Sequence, residues 1–144
     1  KVWAGILYNS FRSFMRKEIK NTSQNSPMNS EELSQLVVKG MEEKKAEDIV
    51  IMDLRDVKGS VTDFFVICSG TSDTQIESIA KSVEAEVEKQ NESAWRKEGF
   101  TNREWILIDF VNVVAHIFRK DRRDFFGLED LWGDAKITAV TSNA

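Results

Sequence analysis

One cysteine, one histidine and one proline occur among the 144 residues. A lone Cys68 excludes an intramolecular disulfide, and with only His116 beside it no cysteine/histidine zinc set exists. Set in the apolar run VICSG, Cys68 reads as a buried strand thiol. No stretch approaches the roughly 18 apolar residues of a membrane span, so a soluble chain with no membrane partner is expected. With 41% hydrophobic residues and a single proline, most of the chain should fold around one core, as a single domain.

Paired carboxylates are also lacking. Metal-dependent phosphoryl or nucleotidyl transfer needs acids close enough to share divalent ions, commonly one residue apart on a strand. No predicted strand carries such a pair: Asp63 and Asp109 stand singly, and Glu84, Glu86 and Glu88 fall on a helix. Asp109 and His116 could begin a general-base pair, yet no neighbouring Ser or Cys offers a nucleophile. Gly70 lies between a strand and a capped helix, where backbone N–H groups can cradle phosphate, but the further glycines and lysine of a P-loop are missing. No catalytic residue, metal or cofactor is therefore assigned. A nucleotide-binding enzyme using Gly70 and Asp109 is the runner-up reading.

The formal charge of −4 is unevenly spread. Residues 1–28 carry Lys1, Arg12, Arg16, Lys17 and Lys20 against Glu18, a sum of +4 that leaves −8 for residues 29–144. An acidic folded part argues against a phosphate-neutralising surface, hence against nucleic-acid specificity, and for a basic protein partner. Residues 1–28 read as an amino-terminal extension, disordered or foreign to the domain of residues 29–144. Their aromatics, arginines and serines fit an organelle transit peptide, and equally upstream sequence ahead of Met15 or Met28.

Within the domain, Asn29 with Glu32 predicts a capped helix carrying Leu33, Leu36, Val37, Gly40 and Met41. Ile49–Leu54 and Val61–Cys68 read as two buried strands, with Asp63 near the start of the second. Ser72 with Gln75 caps a second helix running to about Asn91, and Trp95–Gly99 reads as a short edge strand. Residues 121–135, DRRDFFGLEDLWGDA, predict one or two helical turns broken at Gly127, with Phe125, Phe126, Leu128, Leu131 and Trp132 covering the sheet. The order gives an α/β domain: a mixed sheet of about five strands flanked by helices.

At its centre, Glu104–Lys120 (EWILIDFVNVVAHIFRK) reads as a hairpin turning at Val111 and Asn112. That turn sets Phe110 opposite Val113, Asp109 opposite Val114, Leu107 opposite His116 and Trp105 opposite Phe118. Alternation puts Ile106, Ile108, Phe110, Val113, Ala115 and Ile117 on a wholly apolar face, which must be core. The other face holds Trp105, Leu107, Asp109, Val114, His116 and Phe118. That mixture suits a docking surface, or a face covered by a helix or the chain end. Val111 is β-branched and resists the positive φ of a tight turn, which points to a wider or bulged loop.

Three ordered stretches, VTDFFVICSGTSDTQIESIA (61–80), EWILIDFVNVVAHIF (104–118) and FFGLEDLWGDA (125–135), resemble the motifs of the ribosomal silencing factors, the Iojap or RsfS family. The chain departs from them at Val111 and Asn112, where many members have Gly-Asp, and at Phe64 and Phe126, where members often have Tyr. The resemblance implies a nucleotidyltransferase-like fold without transferase activity. It also implies binding to large-subunit ribosomal protein fourteen, blocking subunit joining and repressing translation when nutrients are short, in the cytoplasm; organelle relatives assist large-subunit assembly. Trp105 matches a family contact residue, Leu107 and Asp109 share its face, and His116 matches a motif position. These four residues are the expected partner-binding site. A homodimer through the same face is compatible with that only if the dimer opens or uses another surface.

Overall fold

A computed structural model describes residues 28–141. The amino-terminal extension therefore lies, Met28 apart, outside the described residues. The chain runs α1 (Ser30–Glu43), β1 (Glu47–Asp53), β2 (Phe64–Gly70), α2 (Asp73–Glu88), β3 (Arg96–Glu98), β4 (Trp105–Asp109), β5 (Val113–Arg119), α3 (Arg123–Phe126), α4 (Leu128–Leu131) and β6 (Lys136–Ala139). Both expected caps form, because each side-chain oxygen satisfies an otherwise orphaned helix N–H. Asn29 accepts from Glu32 N–H at 2.8 Å and Ser72 from Gln75 N–H at 3.1 Å. α2 stops at Glu88, short of the expected Asn91, which itself adopts φ +62° and so cannot continue a right-handed helix.

The six strands lie in the order β3-β4-β5-β2-β1-β6. β2 and β5 are parallel neighbours, and the remaining pairs are antiparallel. The sheet thus has one strand more than the expected five. β6 escaped the sequence because its four residues are all exposed at an edge, leaving no alternation to read.

The apolar face of the hairpin is core: Ile106, Ile108, Phe110, Val113, Ala115 and Ile117 are all buried with α1 and α2. The two helices cross at Gly40. A Cβ there would stand 2.6 Å from the Val83 Cα, and the Ser82 hydroxyl donates to the Gly40 carbonyl at 2.7 Å. Backbone, not a movable side-chain tip, fills the space a methyl would need.

The hairpin register is the one that a two-residue loop demands: Trp105 faces Phe118, Leu107 faces His116 and Asp109 faces Val114. The loop is not widened. Phe110 N–H donates to the Val113 carbonyl at 2.9 Å, and Asn112 N–H reaches the Phe110 carbonyl at 3.0 Å, a γ-turn with Val111 at φ +76°. Surrounding bonds hold this strained valine. The Asp109 carboxylate accepts Val111 N–H at 2.8 Å, and the Thr62 hydroxyl donates to the Val111 carbonyl at 3.1 Å. Asp63 and Phe64 N–H groups both donate to the Asn112 carbonyl, at 3.0 and 3.2 Å, so Asp63 meets the turn just before β2 begins.

Gly40→Ala should destabilise the fold by about 1–3 kcal/mol through overpacking, outweighing the roughly 1 kcal/mol that Ala gains in helix propensity; denaturant melts read the sign. At the turn, Val111→Gly should add about 1 kcal/mol by relieving the positive φ. Asp109→Ala should cost about 1–3 kcal/mol by stripping the part-buried Val111 N–H of its acceptor. A Val111→Gly variant less stable than the parent would refute the strain.

Candidate functional site

The mixed face of the hairpin is roofed. Residues 122–135 cross it, and Met52, Leu54, Phe65, Ile67, Leu107, Val114, Phe118 and Leu128 form a second buried cluster with Trp105, Phe126, Trp132 and Ala135 at its margin. The break at Gly127, with φ +57°, lets the chain turn between α3 and α4 so that Phe126 and Leu128 both reach the sheet. Two of the five residues expected to cover the sheet do not: Phe125 is 59% exposed and Leu131 72%. Four-residue helices cannot turn every apolar side chain inward.

The four expected site residues are brought onto this one face, at different depths. Trp105 is half-buried at its margin. Leu107 is 8% exposed, His116 2% and Asp109 0%. Trp105 stacks on Phe118 with centroids 5.0 Å apart, and its indole N–H donates to His116 Nδ1 at 3.0 Å. That bond fixes His116 as the tautomer with its proton on Nε2. Phe65 meets the imidazole edge-on at 4.6 Å. The Asp109 carboxylate is committed to the hairpin turn. Trp105 and His116 thus form one rigid aromatic assembly rather than two independent contacts.

From Trp105 the rings continue outward. Phe126 lies 5.0 Å from Trp105, Phe125 lies 5.3 Å from Phe126, and the Arg122 guanidinium sits 4.2 Å over the Phe125 ring. Asp124, Asp130 and Asp134 are exposed near Phe125 and Leu131 in sequence. The accessible part of the site is therefore an aromatic and aliphatic patch with acidic neighbours. Phe125 was singled out in the sequence only as cover, and Arg122 not at all; their shared signal was the dense aromatic and arginine content of RRDFF.

Arg123 ties this roof to the sheet. Its Nη1 donates to the Asp48 carbonyl at 2.8 Å and to Ser69 Oγ at 2.9 Å, and its Nε to Glu129 Oε1 at 2.8 Å. Nothing in the sequence pointed to it, because two of its three partners, the Asp48 carbonyl and Ser69, lie on distant strands.

The Gly70 turn is filled. A Cβ on Gly70 would meet Ile76 Cγ1 at 3.0 Å, and the Thr71 N–H already donates to the Gln75 side chain at 2.7 Å. Gln75 also reaches back to the carbonyls of Lys44 and Lys45, each at 3.2 Å, joining the end of α1 to the start of α2. Gly70 pairs with Arg119 at one end of β5 and Asp109 with Val114 near the other, so the fold does not bring the two together. Among the described residues no cluster of three His, Cys, Asp or Glu could hold a metal. Cys68 is buried, and burial pushes its thiol well above the usual range.

Residues 27–144 match the family model described as "Ribosomal silencing factor during starvation". The chain is 40% identical over 108 residues to the ribosomal silencing factor RsfS of Halalkalibacterium halodurans, covering 75% of this chain and 92% of that protein. It is 36% identical over 110 residues to RsfS of Bacillus subtilis, covering 76% and 92%. A crystal structure of a Chromobacterium violaceum protein superposes with a TM-score of 0.71 at 28% identity, covering 81% of this chain and 97% of that one. Family model, sequence relatives and solved fold agree, and the chain belongs to the ribosomal silencing factor family, RsfS.

Proposed function

We propose that the protein binds the large ribosomal subunit through large-subunit ribosomal protein fourteen and, by occupying that surface, prevents the small subunit from joining. It acts as a steric factor with no turnover, wherever its ribosomes are, in a bacterial cytoplasm or an organelle. The observation that carries this reading is the run of rings from Trp105 through Phe126 to exposed Phe125 in a chain of this family. A large aromatic held rigidly at a surface loses little conformational entropy on docking, which is why such residues dominate interface energetics.

Within this reading the four residues divide by depth. Trp105 offers its outer edge to the partner and Leu107 packs beneath it. Asp109 and His116 act from below, the first by holding the hairpin turn and the second by holding the indole. The excess acid of residues 29–144 suits a basic ribosomal protein.

Phe125→Ala should leave the melting behaviour within about 0.5 kcal/mol of the parent, since an exposed side chain is removed. It should weaken binding to the isolated ribosomal protein by about tenfold or more. Trp105→Ala should lose both affinity and about 2 kcal/mol or more of stability, because its ring is also packed. Calorimetric titration and thermal melts on the same preparations separate the two effects. If folded Phe125→Ala and Trp105→Ala proteins bind and block subunit joining like the parent, this face is not the docking site.

A further inference from the structure

The exposed members of the patch ride on a segment with little secondary structure of its own. α3 and α4 are single four-residue turns separated by the left-handed Gly127, too short to hold a fixed position by helix formation alone. Apolar contacts from Phe126, Leu128, Trp132 and Ala135 press the segment onto the sheet, but such contacts are non-directional. Arg123 supplies the direction. Its planar fork reaches three acceptors on three elements: the Asp48 carbonyl in β1, Ser69 Oγ in β2 and Glu129 in α4.

The acceptor in β1 exists because the strand is bulged there. Pairing between β1 and β2 shifts between Glu47 and Val50, and Asp48 takes φ +50°, uncommon for a residue with a Cβ. Bulges re-aim backbone groups at sheet edges and next to functional sites. Here the re-aimed carbonyl of Asp48 receives Arg123. Ser69 is likewise buried at the end of β2 with its hydroxyl turned to the same guanidinium. Arg123 itself is 12% exposed and lies below the segment it anchors, so it is placed to act through Phe125, Phe126 and Leu131, not at a partner's surface.

We infer that Arg123 is the positioning residue of the docking face, its contacts with the Asp48 bulge and Ser69 selecting the one placement of residues 122–132 in which Phe125 and Leu131 are presented to the partner. The inference rests on the proposed docking reading for its consequence, but its structural half is independent of it. A segment released from the bulge samples several placements, and only the fraction in the competent one can be engaged. Apparent affinity falls by that fraction, and it falls through the association rate. Loss of a contact residue acts instead on dissociation.

The test pairs hydrogen exchange with binding kinetics on the full chain, comparing parent, Arg123→Gln, Arg123→Lys, Ser69→Ala and Phe125→Ala against isolated large-subunit ribosomal protein fourteen. Arg123→Gln should speed exchange across residues 123–132 while residues 106–117 keep parental protection, and should slow association about tenfold with dissociation within about twofold of the parent. Ser69→Ala, which removes one acceptor, should fall between parent and Arg123→Gln, and Arg123→Lys should restore part of the loss. Phe125→Ala should raise the dissociation rate with exchange unchanged. Parental exchange in Arg123→Gln would overturn the positioning role. Faster dissociation without faster exchange would make Arg123 a direct contact, and loss of protection in residues 64–70 would make it a general structural residue; either overturns the inference. A parent that does not bind the ribosomal protein refutes the proposed function instead, and the exchange measurements still decide whether Arg123 places the segment.

Discussion

β2 is buried at every residue, and its parallel partner β5 at all but the last. A parallel pair in mid-sheet has no solvent side, so both faces must be covered. One face is covered by α1 and α2, long amphipathic helices packed closely enough to require Gly40. The other is covered by whatever follows β5. That obligation makes residues 122–135 a roof over the hairpin and leaves Phe125 and Leu131 outside it. The same residues that complete the core therefore carry its most exposed apolar surface. Core completion and the exposure of Phe125 and Leu131 are one packing problem here.

The acid at the tip of the hairpin, Asp109, shows how a backbone irregularity is held. A valine at positive φ is costly, commonly about 1–3 kcal/mol. The Asp109 carboxylate, the Thr62 hydroxyl and the N–H groups of Asp63 and Phe64 all bond to residues 111 and 112, so the turn is fixed by its surroundings. These bonds join the hairpin tip to the start of β2, where the parallel register with β5 is set. A one-residue slip there would turn the apolar residues of β5 away from α1 and α2.

Period and capping carried most of the fold into the sequence. The alternation of WILID and VVAHIF gave the hairpin register and both of its faces, and Asn29 and Ser72 marked both helix starts, because these are local signals with one physical cause each. The losses were non-local. Residues 121–135 were legible as cover for the sheet, but not which of their apolar side chains turn inward, and Phe125 and Leu131 stay outside. β6 lacked alternation, and the Asp48 bulge left no compositional trace. For the site, pattern brought Trp105, Leu107, Asp109 and His116 to one face but was silent on depth, and depth separates a half-buried indole from a buried carboxylate.

Depth also bears on how such a face can be tuned. Residues that meet a partner on a rigid strand contribute a fixed affinity, set by the contacts they make. Residues on a segment pinned at a few points contribute that affinity multiplied by the fraction of time the segment is in place. In the proposed docking the Trp105 assembly is of the first kind, locked by Phe118, Phe65 and the bond to His116. Phe125 and Leu131 in the same proposal are of the second kind, held in place by Phe126, Leu128, Trp132 and the Arg123 fork. Substitutions in the second group can alter binding without touching the contact surface or the main core. On the proposed docking reading, substitutions at residues 122–135 therefore adjust the affinity while the hairpin, and the stability it confers, stay unchanged.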